Sequence, residues 1–304
     1  EVVSIAIRDA GITAGRAPLE ERMLDARVRG AIRGEREDAA VLYDALVRPS
    51  QDALTGVERL IVVADPLLRE VPYAALYDRA AKRYLIETMT VAVAESASSL
   101  RREPGAPRLA VAMALPSGEL EPLPDAQREL DAVAALYPEA VSIEPANATF
   151  TAFARAASGA GVVHVAGHTS RQRGVNEPVL SFVQRRATWR DLTGIRFNAG
   201  AVVILAACET LCYPDVRRTS GQSLGGGALA AGAGDVIGTL APIADRDAAE
   251  LFRQVHRRLA AGTEAADALR GAQLDALANE IATGRRSSWR AVALLTRRAP
   301  IRRT

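Results

Sequence analysis

The only two cysteines of this 304-residue chain lie four residues apart, in the stretch ILAACETLC at 204–212. Cys208 ends an apolar run that is typical of a buried strand, and Cys212 follows it in a loop. Four roles are open for Cys208: core residue, metal ligand, half of a disulfide, or nucleophile. Two cysteines do not make the disulfide framework of a small secreted protein, so we expect a reducing, cytoplasmic setting.

His168 stands at a comparable position, at the end of the apolar run GVVHVAGH. If the two runs are neighbouring parallel strands, His168 and Cys208 emerge at one rim of the sheet, where α/β proteins bind ligands. A histidine beside a thiol lowers the thiol pKa and can protonate a leaving amine. His168 precedes Cys208 by 40 residues, which is the chain order of caspase-like peptidases, where the separation is about 50 residues.

The main alternative at these positions is a zinc site, because two cysteines and two histidines form a common zinc ligand set. His164 and His168, and likewise Cys208 and Cys212, are spaced i, i+4. On a helix this spacing converges, but on a strand four residues span about 13 Å. We therefore favour the peptidase and expect neither metal nor cofactor. His164 is interpreted as a packed, hydrogen-bonded core residue, and His256 as a surface or interface residue of a helix.

Composition limits the partners. The chain is 49% hydrophobic and 24% charged, with a formal net charge of +2, so neither nucleic acid nor an anionic membrane is expected. No stretch reaches the roughly 18 apolar residues of a membrane span, and no signal peptide is evident. The first residue, Glu1, is not methionine, and we expect the chain to be a piece of a longer protein.

Turn signals and periodicity predict the organisation of the chain. The loop RREPGAPR at 101–108 suggests a boundary, with an amino-terminal subdomain at 1–104 and the catalytic domain at 105–304. After it, short apolar runs alternate with helical patterns, which predicts a mostly parallel sheet covered by helices on both faces. The segment 84–96 has strand composition, and 178–189 is a hairpin or two short strands. The glycine-rich 219–238 lacks a phosphate-binding motif, so close helix–sheet packing is the better explanation.

VVHVAGHTS and VVILAACET, with the spacing between them, resemble the CHAT family, caspase-like cysteine peptidases that are often fused to tetratricopeptide repeats. The resemblance runs from about Val57 to Leu295 and includes RLIVVADPLLREVPYAAL and LGGGALAAGAGDVIGTLAPIADRD. It implies the fold of the caspase, separase and gingipain clan: a mostly parallel α/β sheet flanked by helices, with a smaller amino-terminal α/β subdomain.

The resemblance also implies a site. The family's catalytic histidine falls on His168 and its nucleophile on Cys208, with the backbone N–H groups of Cys208 and Thr169 as the oxyanion hole. The chain has Thr169 and Leu211 where glycine is common, and Ala241 where tryptophan is common; none of these differences removes a catalytic group.

Acidic residues near the rim are candidates for a substrate pocket. Asp245, at the family's acidic position, and Glu209 would favour arginine or lysine before the cleaved bond, and Asp247 lies nearby. Each of these carboxylates could equally serve as a helix cap or an ion-pair partner.

The interpretation is a cysteine endopeptidase that cleaves a specific protein partner, in bacterial defence or regulated cell death. A catalytically silent CHAT scaffold that binds a partner is the alternative. A repeat domain or partner protein is expected to regulate the enzyme, with the isolated chain slow on short peptides and the segment 210–223 mobile. The pKa of Cys212 is expected to stay near the free value of about 8.5.

Overall fold

The computed structural model describes residues 1–9, 11–101, 109–118, 123–172, 177–213 and 222–299. The predicted boundary at 104 lies outside these residues. The strands of the described part are β1 Val2–Arg8, β2 Gly11–Ala17, β3 Arg59–Val63, β4 Tyr77–Asp78, β5 Arg83–Tyr84, β6 Thr90–Ala94, β7 Ala110–Ala114, β8 Val141–Ile143, β9 Val162–Ala166, β10 Thr169–Gln172, β11 Glu177–Phe182, β12 Arg185–Ala187, β13 Val202–Ala206, β14 Asp235–Thr239 and β15 Val292–Thr296. The helices are α1 Glu21–Ile32, α2 Arg36–Leu46, α3 Leu85–Thr88, α4 Pro124–Ala134, α5 Phe150–Ala157, α6 Trp189–Thr193, α7 Leu224–Ala230, α8 Asp245–Ala260 and α9 Ala265–Thr283.

An eight-stranded sheet forms the centre of the molecule, in the order β3-β6-β15-β14-β13-β9-β7-β8. Only the β14–β15 pair of this sheet is antiparallel, which confirms the predicted mostly parallel sheet. The strands β3 and β6 precede the predicted boundary at residue 104, yet they join the same sheet through β15.

The central strands are apolar because both of their faces are covered. Alternate residues of β13 enter different cores: Val203 and Leu205 face one, and Ile204 faces the other. Helices α1, α2, α5, α6 and α7 contribute to the first core, whereas α8 and α9 cover the opposite face. Helix α4 extends that second layer over β7. The predicted helices on both faces are therefore confirmed.

Two predicted segments can be compared with the structure directly. The segment 178–189 forms the antiparallel hairpin β11–β12, which β10 extends to a separate three-stranded sheet. The prediction of a strand through 84–96 is wrong in its first half, where α3 lies. The Glu87 carboxylate accepts the N–H of Tyr84 at 2.6 Å and closes this helical turn, so β6 begins only at Thr90.

None of the helices in the described ranges is long and apolar enough to cross a bilayer.

Candidate active site

His168 and Cys208 leave adjacent parallel strands at the same level. Strand β9 pairs with β13 in a register that places Ala166 beside Ala206. The chain turns at Gly167 after β9 and at Ala207 after β13. The next residue is His168 in the first case and Cys208 in the second. Both residues are half-buried at the carboxyl rim of the sheet. The expectation that these two strands are neighbours is confirmed.

The turn after β13 is anchored to the end of β14. The hydroxyl of Thr239 donates to the carbonyl of Ala207 at 2.6 Å, and the N–H of Thr239 donates to the hydroxyl of Thr210 at 3.0 Å. The N–H of Leu211 donates to the carbonyl of Thr239 at 2.9 Å. Because these groups are buried, each bond lies in a low-dielectric environment where leaving it unmade is costly. Cys208 therefore stands on a fixed support.

Glu209, directly after Cys208, has left-handed backbone geometry with φ of 55°. A non-glycine residue rarely adopts this conformation unless its surroundings hold it. The N–H of Cys212 donates to the carbonyl of Glu209 at 3.1 Å, and the Arg171 guanidinium pairs with the Glu209 carboxylate at 2.7 Å. The turn that carries Cys208 is thus tight and strained.

Thr169 contacts the backbone of Cys208: its hydroxyl donates to the carbonyl of Cys208 at 2.6 Å. In the β10–β11 ladder, Thr169 faces Leu180 and Arg171 faces Pro178. Proline has no N–H, so the pair with Pro178 is not the hydrogen-bonded kind. Because the two kinds of pair alternate in an antiparallel ladder, the pair of Thr169 is not hydrogen-bonded either. The N–H of Thr169 is consequently directed away from β11.

Cys212 lies in a different environment from Cys208. It is 6% exposed, and its thiol donates to the carbonyl of Leu240 at 3.1 Å. Burial, reinforced by the negative charges of Glu70 and Glu209, raises the pKa of Cys212. The expectation of an ordinary pKa at Cys212 is therefore wrong, because the loop is packed against β14 instead of facing solvent.

The histidines other than His168 belong to the core. His164 is fully buried, which confirms its interpretation, and its Nδ1 lies 3.1 Å from Nε2 of His256. The expectation that His256 is a surface or interface residue is wrong, since it is also fully buried. Its position four residues after Phe252 on the apolar face of α8 is the sequence signal that could have placed it in the core.

The zinc alternative requires the four sulfur and imidazole groups to converge. Over the described ranges of the chain, no group of three or more His, Cys, Asp or Glu side chains is arranged to hold a metal ion. His164 instead bonds His256, and Cys212 bonds a backbone carbonyl.

The acidic candidates each have a partner within the protein. Asp245 accepts the N–H of Asp125 at the start of α4, at 2.9 Å, and Glu209 pairs with Arg171. Asp247 accepts the N–H and hydroxyl of Ser288 at 3.0 and 2.9 Å. Glu209 also lines a cavity of about 920 Å³ between the Cys208 turn and α1. The structure brings Glu209 close to the Cys208 turn and places Asp245 at the interface of α8 with α4.

Two half-buried carboxylates near the site were missed by sequence reasoning. Glu70 accepts the N–H of Tyr213 at 2.8 Å, and Glu95 accepts the Tyr213 hydroxyl at 3.3 Å. Burial raises the pKa of Glu70 and of Glu95, and the Arg69 guanidinium lies 5.0 Å above the Tyr213 ring. Glu95 directly follows β6, so its place at a strand's carboxyl end was the available signal.

These contacts bear on the expected mobility of 210–223. Residues 210–213 and Ser223 are buried and hydrogen-bonded, so mobility is not supported at the two ends of the segment. Residues 214–221 lie outside the described residues.

Comparison with known proteins gives a family and a set of similar folds. The family model of the CHAT domain matches residues 36–297, whereas no curated protein matches the chain.

A chain of the Saccharomyces cerevisiae separase–securin complex has a TM-score of 0.56 and 10% identity. The similarity covers 78% of this chain and only 15% of that one. Gingipain R (RgpB), an Arg-specific cysteine proteinase, has a TM-score of 0.56 and 11% identity, over 90% and 73% of the two chains. The complex of the Porphyromonas gingivalis RgpB pro- and mature domains gives 0.53 and 10%, over 91% and 75%. At these identities the similarity is one of fold.

Proposed function

Because the chain belongs to the CHAT domain family and has the fold of caspase-like cysteine peptidases, we propose that it is a cysteine endopeptidase. Cys208 is the nucleophile and His168 the general base and acid of this proposal. The observation that supports it is the register of β9 and β13. Ala166 pairs with Ala206, and His168 and Cys208 each follow their paired residue by two positions along the chain.

The proposed reaction proceeds through an acyl-enzyme. The imidazole of His168 takes the proton of the Cys208 thiol, and the thiolate sulfur attacks the carbonyl carbon of the scissile peptide bond. When the C–N bond breaks, His168 returns the proton to the departing amine. His168 then takes a proton from a water molecule, whose oxygen attacks the thioester carbon. As the C–S bond breaks, His168 returns this proton to the Cys208 sulfur, and the acid product is released.

Backbone N–H groups stabilise the oxyanion of the tetrahedral intermediates in this mechanism. We assign this role to the N–H groups of Cys208 and Thr169. The alternation of the β10–β11 ladder supports the assignment of Thr169, since its N–H is not used by β11. Threonine in place of glycine keeps this donor and adds the hydroxyl that bonds the Cys208 carbonyl.

The proposed substrate is a specific protein partner, cleaved in bacterial defence or regulated cell death under the control of a repeat domain or partner protein. The separase similarity supports a protein partner, because that structure is a complex of separase with securin. Asp245 remains the proposed selector of a basic residue before the scissile bond; gingipain R, with a similar fold, is an Arg-specific proteinase.

A peptide library tests the assignment. We expect wild type to cleave a subset of peptides, Cys208→Ala to abolish cleavage with the fold intact, and His168→Ala to reduce kcat about 10²- to 10⁴-fold. Undiminished cleavage by Cys208→Ala would exclude the proposed nucleophile.

The scaffold alternative makes the opposite prediction for a thiol probe. A silent scaffold has no activated cysteine, so a peptidyl acyloxymethyl ketone should leave Cys208 unmodified, and His168→Ala should not change that result. Rapid, His168-dependent modification of Cys208 supports the peptidase.

A further inference from the structure

The central sheet stops short of the dyad. The β9–β13 ladder ends at Ala166 and Ala206, and a backbone bond of 3.2 Å from the N–H of Gly167 to the carbonyl of Ala206 follows it. Beyond this point, the chain with His168 enters the separate β10–β11–β12 sheet, whereas the chain with Cys208 enters the turn anchored on β14. The separation of the two side chains therefore depends on contacts made after the ladder ends.

Two such contacts connect the diverging segments. The Thr169 hydroxyl donates to the Cys208 carbonyl at 2.6 Å, and the Arg171 guanidinium pairs with the Glu209 carboxylate at 2.7 Å. Each joins a residue just after His168 to Cys208 or its immediate neighbour. We propose that Thr169, Arg171 and Glu209 form a two-point clamp that positions His168 and Cys208 for proton transfer and attack. This inference rests on the proposed peptidase function.

The first point of the clamp acts on the backbone of the nucleophile. A hydrogen bond to the Cys208 carbonyl restrains the peptide that follows Cys208, and with it the direction in which the thiol leaves the backbone. It also connects the nucleophile's peptide to Thr169, whose N–H is the second proposed oxyanion donor. Glycine at 169 would keep the N–H but could not make this bond.

The second point of the clamp holds the strained residue. Glu209 has φ of 55°, a conformation in which glycine would carry no penalty. A side chain kept at a strained position indicates that the side chain has a use, and here its carboxylate binds Arg171. The pair is partly open to solvent, with 37% and 28% of the two side chains exposed. Such pairs add little to folding stability, so the consequence of losing this pair should appear at the dyad.

Iodoacetamide alkylation of Cys208 is the main measurement, because this small reagent reads the thiol without a substrate pocket. Thr169→Val removes the hydroxyl at nearly constant shape, and Arg171→Met removes the charge. We expect each to lower both the alkylation rate and kcat about 10-fold with KM little changed, since misplacement of about 1 Å can cost 100-fold. Thr169→Ser should restore both rates to within about three-fold, because it restores the hydroxyl.

Glu209→Gly separates positioning from stability. Glycine relieves the left-handed backbone and removes the carboxylate, so the melting temperature should stay the same or rise while the alkylation rate and kcat fall. Arg253→Met is the control for Arg171→Met, because it breaks a solvent-exposed ion pair with Glu250 within α8; both rates should stay at the wild-type value.

The outcomes distinguish this inference from the function on which it rests. If His168→Ala slows alkylation of Cys208 but Thr169→Val and Arg171→Met remain within two-fold of wild type, the clamp is excluded and the dyad stands. If His168→Ala has no effect on alkylation, both proposals are overturned. If Glu209→Gln changes only the preferred peptide, Glu209 belongs to a substrate pocket and the second point of the clamp is excluded.

Discussion

Cys208 and Cys212 are four residues apart but have opposite surroundings. Cys208 is half-buried at the rim beside the segment that carries His168, whereas Cys212 is 6% exposed and its thiol bonds the Leu240 carbonyl. The thiolate is the reactive form of cysteine, and burial raises the pKa of Cys212. Cys212 is therefore protected from electrophiles, because its sulfur is buried and because the raised pKa keeps the thiol protonated.

A peptidyl electrophile at mildly acidic pH should label Cys208 selectively. We expect peptide mapping by mass spectrometry to find the adduct on Cys208 alone, and His168→Ala to slow its formation because no base then takes the thiol proton. Cys212→Ala should keep turnover within a few-fold, since the Cys212 thiol is buried and bonds the carbonyl of Leu240. Equal labelling of both cysteines would contradict this prediction.

Asp245 combines a structural contact with a proposed selective role, and two substitutions separate them. Asp245→Asn keeps an oxygen that can accept the Asp125 N–H but removes the charge. We expect Asp245→Asn to fold like wild type and to lose preference for a basic residue before the scissile bond. Asp245→Ala should lose that preference too, and also about 0.5–2 kcal/mol of stability, as when a helix cap is removed. A library profile that favours aspartate or leucine would exclude the selective role.

At the scale of elements, α7 shows why a helix contains three consecutive glycines. A Cβ on Gly225 would lie 2.4 Å from Cδ2 of Leu211, and one on Gly227 would lie 2.5 Å from the carbonyl oxygen of Trp189. Glycine in a helix costs about 1 kcal/mol relative to alanine, and close packing offsets this cost. The interpretation of the glycine-rich stretch 219–238 as a packing feature is confirmed for residues 222–238, whereas 219–221 lie outside the described residues. Leu211 fills the space beside α7.

Gly227→Ala should therefore destabilise the fold by about 1–3 kcal/mol, because the clash is with backbone that cannot rotate away. Gly159→Ala is the matched control: its Cβ would have nearest neighbours at 3.9 and 4.0 Å, and its stability should equal or slightly exceed that of wild type. Denaturant titration of the two variants measures the difference. Equal stability of the two would show that α7 can move away from α6 without cost.

At the scale of the whole molecule, a buried polar chain connects one helical layer to the sheet. The Tyr137 hydroxyl lies 3.0 Å from Nδ1 of His256, and Nε2 of His256 lies 3.1 Å from Nδ1 of His164 on β9. His164 Nε2 is 3.1 Å from a Glu129 carboxylate oxygen, although the two are not aligned as a hydrogen bond. Burial, and then the neighbouring His164, hold the pKa of His256 well below its usual range.

This arrangement predicts a loss of stability in mild acid. Below about pH 6.5 the unfolded chain takes up a proton on His256 that the folded protein does not bind. The free energy of unfolding should therefore fall as the pH decreases, by up to about 1.4 kcal/mol per pH unit from this group, and level off above pH 6.5. Glu70 and Glu95, whose pKa values burial raises, act in the opposite sense, so the comparison of variants is the test.

His256→Gln keeps hydrogen-bonding capacity without titrating in this range. Denaturant titrations between pH 5 and 7 should give a flatter slope for this variant than for wild type. An unchanged slope in His256→Gln would show that His256 does not cause the pH dependence.

The sequence by itself determined the architecture and the candidate dyad. Apolar runs of five to eight residues alternating with helical patterns can be satisfied only by strands covered on both faces, so a mostly parallel sheet followed from local periodicity. His168 and Cys208 could be paired because each ends such a run, and strand ends meet at one rim. These features depend on residues that are close together in the chain.

The tertiary structure alone decided which groups surround His168 and Cys208. The pairing of Arg171 with Glu209, the bond from Thr169 to Cys208 and the burial of Cys212 against Leu240 each join segments 28 to 39 residues apart. The contact of Tyr213 with Glu70 spans 143 residues. No local sequence pattern encodes such partners. They come together because the loops that carry them leave the sheet on the same side. The left-handed conformation of Glu209 depends in turn on those partners, since without them the backbone at this residue would favour a different turn.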